Sequence, residues 1–330
     1  VKYGILKLIE ENKGNHISGE SISQLLGVSR AAVWKYIEEL RREGYGIEAS
    51  SRKGYRLTHT PDVLNEYEIG KYLKTEALGR HIVCFDVTES TNDAAKRAGA
   101  EGAPHGTLFI AEKQTKGRGR LGRTWDSGYR KGIWMSLLLR PSISPEDVVV
   151  VTLAAAVAVV LGIRDVTGLC CGIKWPNDII AEGKKLCGIL TEMNSEMEKV
   201  NYLVIGAGIN YSQEDLDFPP ELRGHAVSLM TLLANNPVRN KTSRSIIVAE
   251  VLNRMEELYN MILSGETHRI IDLWKEYTIT LGKRVRVISI KDEYMGVAMD
   301  ITGRGGLLVN LDEGVSREFT SGEVSIRDLE

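Results

Sequence analysis

The chain has 330 residues, of which 43% are apolar, 26% charged and 6% aromatic. That length corresponds to two or three domains, and 33 glycines with 8 prolines is ordinary usage, which excludes collagen-like and disordered chains. Lys and Arg number 42 against 44 Asp and Glu, a net charge of −2, so no bulk positive field attracts nucleic acid and any DNA contact must come from a local basic patch.

Residues 1–57 read as one small unit. Ile5, Leu8 and Ile9 mark a first amphipathic helix. Ser18 caps a short second helix through Leu26, which Gly27 breaks. Ser29 caps a third, with Val33, Ile37 and Leu40 at i, i+4 and i+7 and Gly44 beyond its end. Two short helices joined by a glycine turn have helix-turn-helix spacing. A hairpin follows, Ile47 to Ala49 and Tyr55 to Leu57 around Ser51-Arg52-Lys53-Gly54, so the unit is predicted to be a winged helix. From Ser29 to Arg56 seven basic residues face four acids. Ser29, Arg30, Trp34 and Lys35 lie at the end of the third helix that reaches base edges in such folds, with Arg52 and Lys53 in the wing. A helical trimer used for protein contacts is the alternative.

Thr58-His59-Thr60-Pro61-Asp62 is polar, and Pro61 disfavours helix before it, which makes this stretch the linker. From Glu66 to Tyr277 strands are predicted at 82–87, 107–113, 132–139, 185–193 and 201–209, with helices at 92–99, 145–161, 243–263 and 268–277. The apolar run Val148 to Ile163 falls short of the roughly 18 residues of a membrane span and opens with Ser144-Pro145-Glu146-Asp147, a soluble-helix start, so a buried helix is expected. After Arg284 short alternating strands with glycine turns predict a small β-barrel. Cys84, Cys170, Cys171 and Cys187 form no disulfide or zinc pattern. With no signal peptide in sight, a cytoplasmic setting is expected.

Three segments carry chemistry. Gln114-Thr115-Lys116-Gly117-Arg118-Gly119-Arg120-Leu121-Gly122-Arg123-Thr124-Trp125 contains G-x-G-x-x-G, yet a strand follows instead of the helix that a dinucleotide site needs. A P-loop and a kinase glycine loop fail for want of their partner residues. What remains is a glycine-bearing loop whose four cations should repel one another, stay open, and order around an anion; a solvated surface loop is the alternative. Lys174-Trp175-Pro176-Asn177-Asp178 forms a rigid corner ahead of Lys185, whose ammonium is expected at the lip of a pocket as a point charge for phosphate or carboxylate. Asp178 suits Mg²⁺, which takes few protein carboxylates. Glu89-Ser90-Thr91-Asn92-Asp93 opens a helix, with Ser90 or Thr91 as cap and hydroxyls placed for a small polar head group. Gly206-Ala207-Gly208-Ile209-Asn210 ends a strand with small residues that admit a flat ring. The six histidines are scattered and no nucleophile set is legible, so they are taken as structural or exposed.

Together Glu-Ser-Thr-Asn at 89–92, Gln114, the arginine loop through Trp125, Lys174 to Asp178, Lys185-Leu186-x-Gly188-Ile189-Leu190 and Gly206-x-Gly208-x-Asn210 resemble the bifunctional biotin–protein ligase and biotin-operon repressor family. The motifs come in the family's order over nearly the whole chain. The resemblance implies an α+β chain: a winged helix-turn-helix at 1–60, a mixed-sheet biotin/lipoate ligase-like catalytic domain at 61–280 and a small SH3-like β-barrel at 281–330. It further implies that biotin and ATP are joined, with Mg²⁺, into biotinyl-5′-adenylate and that biotin passes to a lysine of a carboxylase's biotin carboxyl carrier domain. Ser90, Thr91, Asn92 and Gln114 would contact biotin. Arg118, Gly119 and Arg120 would wrap its carboxyl and the phosphate, and Lys185 would hold the carboxyl or acyl-phosphate oxygen. Lys174, Asn177, Asp178 and Arg123 would serve the nucleotide or metal, with Asn210 near it and Trp125 over the adenylate. Operator DNA and a homodimer of the adenylate-bound form are the implied partners, and no membrane is. A carboxylate is already a nucleophile, so no general base is needed; the work is electrostatic and suits arginine, lysine and Mg²⁺. A biotin-sensing repressor without ligase activity, or a ligase without DNA function, are the rival readings.

Overall fold

The computed structural model describes residues 1–196, 199–288, 292–320 and 322–327. Two compact units, Val1–Val63 and Leu64–Glu330, meet at the end of the polar Thr58–Asp62 stretch. Of the expected C-terminal region, residues 289–291, 321 and 328–330 lie outside the described residues.

In the first unit helices α1 (Lys2–Glu11), α2 (Gly19–Leu26) and α3 (Arg30–Arg42) precede a hairpin of β1 (Gly46–Ser50) and β2 (Gly54–His59). Ile5, Leu6 and Ile9 of α1, Ile22 of α2, and Val33, Ile37 and Leu40 of α3 form the core, each at most 1% exposed. Leu6, not Leu8, completes the inward face of α1, because positions 5, 6 and 9 share one side of a 3.6-residue period. Ser18 and Ser29 cap α2 and α3, their hydroxyls accepting from the amides of Ser21 at 2.9 Å and Ala32 at 3.1 Å. Gly27, left-handed at φ +64°, makes the turn between them. Ile17 and Tyr55 exchange backbone hydrogen bonds at 2.9 and 2.8 Å, which fastens the wing to the chain just before α2.

The second unit runs α4 (Glu66–Gly70), β3 (Ile82–Thr88), α5 (Thr91–Ala100), β4 (Leu108–Gln114), β5 (Gly132–Leu139), α6 (Val148–Thr167), β6 (Gly172–Lys174), β7 (Asp178–Ala181), β8 (Lys184–Glu196), β9 (Lys199–Asn210), α7 (Leu229–Leu232), α8 (Arg244–Leu263) and α9 (Thr267–Tyr277). Seven of these strands form a mixed sheet in the order β3-β4-β5-β9-β8-β7-β6, parallel only between β3 and β4. Then β10 (Arg284–Ile288), β11 (Glu293–Ile301), β12 (Leu307–Leu311), β13 (Ser316–Phe319) and β14 (Glu323–Arg327) form an antiparallel sheet in the order β13-β12-β11-β10-β14. This is the short-stranded β domain expected after Arg284.

One face of the seven-stranded sheet carries α6, α8 and α9. Helix α6 is long and apolar enough to cross a membrane, yet 13 of its 20 residues are buried against the sheet and α8. At the start of α8, Arg244 is 1% exposed and pairs in a two-pronged contact with Glu112 of β4, whose carboxylate also accepts the Leu64 amide at 3.0 Å. Such a buried pair is tolerable only with these extra hydrogen bonds. The opposite face carries α5, packed by Ala94 and Ala95 on Phe109, Leu138, Tyr202 and Val204.

Side chains alternate along a strand. On β9, Tyr202 and Val204 point toward α5 and are covered by it. The next residues of that set, Gly206, Gly208 and Asn210, lie beyond the helix's N-terminus. The register pairs Ser136 of β5 and Leu190 of β8 with Gly206, and Trp134 and Gly188 with Gly208. Where α5 begins, Gly206, Gly208, Gly188 and Ser136 thus leave the sheet low, with Leu190 and Trp134 beside them.

Candidate active site

Over this floor lies a cavity of about 450 Å³. Its walls come from the start of α5, the loop between β4 and β5, the corner between β6 and β7, and the segment after β9. The corner is a cis Trp175-Pro176 bond. Trp175 is 1% exposed, its amide donating to Thr280 at 2.9 Å and its indole to the Gly305 carbonyl at 3.2 Å. The Gly303–Gly306 turn of the C-terminal sheet thereby holds the corner that presents Lys174, Asn177 and Asp178.

At one end of the cavity polar side chains form a closed chain of contacts. Ser90, not Thr91, caps α5. That leaves the Thr91 amide and hydroxyl free to donate to Gln114 Oε1, at 2.8 and 3.0 Å. Gln114 in turn donates to Ser127 at 2.9 Å, and Ser127 to the Trp125 carbonyl at 3.1 Å. The wholly buried Ser136 hydroxyl sits 2.7 Å from Thr91 Oγ1 and 2.6 Å from Asn92 Oδ1. Asn92 donates to Glu192 at 2.8 Å. A Cβ on Gly206 would stand 2.1 Å from Asn92 Oδ1, so glycine is what lets the amide reach this place.

The other end holds the cations. Lys185 Nζ lies 2.7 Å from Asp178 Oδ1 and 5.3 Å from the centre of the Trp125 ring. The indole rests on Gly188 and Gly208, where added Cβ atoms would come within 2.7 and 2.5 Å of it; the flat ring admitted by those glycines is the protein's own. Arg120 donates to Asn177 at 3.0 Å, and Asn177 donates to the Ile189 carbonyl at 2.6 Å. Asn210 donates to the Lys185 carbonyl at 3.3 Å and accepts from Gln213 at 3.1 Å.

Charge repulsion does not govern the arginine loop as the sequence suggests. Lys116 pairs with Glu89 at 2.7 Å, and Arg118 with Asp93 and with Glu192 at 3.3 Å. The neutralising acids come from before α5, from α5 and from β8, outside the loop where the charge was counted. Burial pulls the Lys96 ammonium down, but its hydrogen bonds to Glu192 and Asp93 outweigh that and hold it above the usual lysine range.

The structure therefore gathers Ser90, Thr91, Asn92, Gln114, Arg118, Gly119, Arg120, Arg123, Trp125, Lys174, Asn177, Asp178, Lys185 and Asn210 around one cavity. It adds residues the sequence did not single out: Ser136 and Glu192 behind Asn92, and Phe218, Leu222 and Ala226 on the wall. His225, set aside with the other histidines, lines the cavity as well. Burial pushes the Cys171 thiol up to about 12 and raises Cys187 too, so neither is a nucleophile near neutral pH.

Family models match in three places: the biotin/lipoate A/B protein ligase family over residues 84–210, an HTH domain over 2–56, and the biotin protein ligase C terminal domain over 280–327. Over 317 residues the chain is 42% identical to the bifunctional ligase/repressor BirA of Bacillus subtilis (strain 168), covering 96% of each protein. The chain belongs to the bifunctional biotin ligase/repressor family. BirA of Escherichia coli (strain K12) is 27% identical over 317 residues, covering 96% of this chain and 95% of that one. The biotin protein ligase from Aquifex aeolicus, solved in complex with biotin and ATP, gives a TM-score of 0.62 at 26% identity over 75% of this chain and 99% of that one.

Membership in this ligase/repressor family accounts for both halves of the chain. The HTH match coincides with the first unit, where Ser29, Arg30, Trp34, Lys35, Arg52 and Lys53 are all exposed. Trp34 is 60% exposed on α3 and contributes nothing to the core.

Proposed function

We propose that this ligase/repressor joins biotin and ATP in the cavity, transfers biotin to a lysine of a biotin carboxyl carrier domain, and represses transcription from an operator in response to biotin. The observation that carries the reading is one cavity, polar and enclosed at one end and cationic at the other, assembled from segments as far apart in sequence as Ser90 and Val324. Ser90, Thr91, Asn92 and Gln114 bind the ureido head, presenting donors and acceptors that the hydrogen-bond chain already orients. Placed so, the valeryl chain runs over Gly206 and along the edge of the Trp125 indole, and the carboxylate meets Lys185, Arg118 and Arg120.

A carboxylate oxygen then attacks the α-phosphorus. A P–O bond forms, the bond to pyrophosphate breaks, and the electron pair leaves with pyrophosphate. Lys185 and Arg120 stabilise negative charge on the phosphoryl oxygens, while Lys174, Asn177, Arg123 and Asn210 orient the nucleotide. Among the described residues the carboxylates lining the cavity are Asp126 and Asp178, and one such group is enough for Mg²⁺ that arrives with phosphates and keeps its waters. Bound there, Mg²⁺ would neutralise phosphate charge, and Lys185, released from Asp178, would turn to the substrate. In the second step the carrier lysine's neutral amine attacks the acyl carbon, the acyl C–O bond breaks and AMP departs, with the amine's proton lost to water. Closing residues 116–123 over the mixed anhydride keeps water from it.

The first unit reads DNA with the N-terminal half of α3 in the major groove and Arg52 and Lys53 of the wing on the backbone. A two-fold operator requires a homodimer, favoured when the adenylate is bound. The four cysteines are free thiols, which suits a cytoplasmic setting. A repressor without ligase activity is disfavoured because Lys185 and the arginine loop both face the cavity.

Incubation with biotin, ATP, Mg²⁺ and a carrier domain is expected to release pyrophosphate and add one biotin mass to the carrier lysine; a carrier of unchanged mass would refute the ligase reading. Gly206→Ala should weaken biotin binding by tenfold or more, about 1.4 kcal/mol, because its methyl displaces the Asn92 amide. Titration calorimetry giving an unchanged Kd would remove Asn92 from the head-group site.

A further inference from the structure

Glu192 belongs to no motif and does not line the cavity, yet Asn92, Lys96 and the loop's Arg118 all converge on it. It stands on β8 opposite Val204, on the face of Gly188 and Leu190, with its side chain 25% exposed. One carboxylate oxygen accepts from Asn92 at 2.8 Å and the other from Lys96 at 2.7 Å, while Arg118 of the loop approaches to 3.3 Å. Asp93 binds the same two cations, Lys96 at 3.1 Å and Arg118.

Charge decides what this cluster needs. The body of the fold supplies two carboxylates and one lysine, a deficit of one positive charge. Arg118 makes up the deficit, and it comes from the loop. With the loop away, Asp93 and Glu192 repel each other across a single ammonium; with the loop down, the four charges balance. A second loop-to-body ion pair, Lys116 with Glu89, is 69% and 58% exposed and correspondingly screened.

We propose that Glu192 is a positioning residue that latches residues 116–123: its carboxylate ties Arg118 to the group that orients Asn92, so head-group recognition and loop closure share one anchor. The ligand in this statement rests on the ligase reading above, whereas the latch itself is a property of the free protein. The coupling runs both ways. A head group that draws the Asn92 amide into place fixes the Glu192 carboxylate, and a fixed carboxylate is a better seat for the guanidinium. Strand β8 has no ladder partner on its outer side beyond Gly188 among the described residues, so that seat lies at an open edge.

Glu192→Gln separates the two contacts, because the amide oxygen still accepts from Asn92 while the charge on Arg118 is gone. In the free protein, trypsin should cut within 116–123 about three- to fivefold faster than in the wild type, the size of one partly screened ion pair. The difference should shrink as salt weakens the wild-type latch. With biotin, ATP and Mg²⁺, the KM for biotin should rise less than in Glu192→Ala, because the amide oxygen still accepts from Asn92. The rate at which biotinyl-adenylate escapes into solution should rise about three- to fivefold. Asp93→Asn should act in the same direction, whereas Glu192→Ala, which also frees Asn92, should raise the KM for biotin as well. Unchanged cleavage and escape in Glu192→Gln would overturn the latch, as would slower adenylate formation with loop cleavage unaltered. If the wild type makes no adenylate, the ligase reading falls, and the ligand-free digestion still judges the latch by itself.

Discussion

Lys185→Ala is expected to slow biotinyl-adenylate formation by about 10²–10³-fold, the usual cost of removing one preorganised group from a site where charge develops. Lys185 is the cation that faces both the Asp178 carboxylate, at 2.7 Å, and the Trp125 ring. Its loss acts twice. The phosphoryl oxygens lose a counter-charge, and before Mg²⁺ arrives Asp178 is left as an uncompensated anion facing the biotin carboxylate. Lys185→Ala/Asp178→Asn should therefore recover part of the biotin binding measured without Mg²⁺ but not the rate. Lys185→Arg should not restore activity, since a guanidinium stacked flat on the Trp125 indole offers the phosphoryl oxygens a spread fork in place of a compact point charge. Single-turnover pyrophosphate release separates these effects; a rate within threefold of wild type for Lys185→Ala would remove the residue from the chemistry.

Removing residues 1–63 is expected to abolish specific DNA binding while leaving adenylate formation within about twofold. The first unit has its own core in Ile5, Leu6, Ile9, Ile22, Val33, Ile37 and Leu40, and every residue assigned to the cavity lies beyond it. The probe is a two-fold symmetric site selected by the full-length protein from randomised duplexes. In the full chain, Arg30→Ala or Lys35→Ala should cost about 1–3 kcal/mol if the side chain reads a base, and Arg52→Ala or Lys53→Ala should lower the salt slope by about one if it contacts phosphate. Biotin with ATP should tighten binding to the same probe. Shift assays in which the truncated protein still binds the site would relocate the DNA contact to the second unit.

Much of this was legible because local rules and the fold agree. Strand 132–139 is found at its expected bounds, as its apolar run between glycine and arginine, interrupted at Ser136 alone, required. Ser18 and Ser29 cap the helices they precede, and the apolar run from Val148 became a buried helix. Elements of three to five residues such as β6, β7 and α7 are too short to show a period and escaped notice. The loop's behaviour was misjudged because its charge was summed over neighbours in sequence. The acids that neutralise it lie 25 to 74 positions away, and only a sheet that brings β8 beside α5 makes Glu192 a neighbour of Arg118. Ser136 was invisible for a different reason: a hydroxyl inside an apolar strand looks like a tolerated core residue until Thr91 and Asn92 are seen against it. Phe218, Leu222, His225 and Ala226 come from a stretch of 3-10 turns without periodicity.

Helix α6 has a consequence for how the protein comes into being. Its apolar residues are shielded in the finished molecule by strand β8 and helix α8, but ribosomes deliver those covers later: α6 ends at Thr167, β8 begins at Lys184 and α8 closes only at Leu263. At bacterial synthesis rates that interval lasts on the order of 5–20 s. Throughout it the nascent chain displays a rod as greasy as a membrane anchor, which gives chaperones and the insertion machinery a claim on it before the sheet does. Slower translation between Gly168 and Leu263 is therefore expected to lower the yield of folded protein and added chaperone to raise it, without any change in the stability of the completed fold.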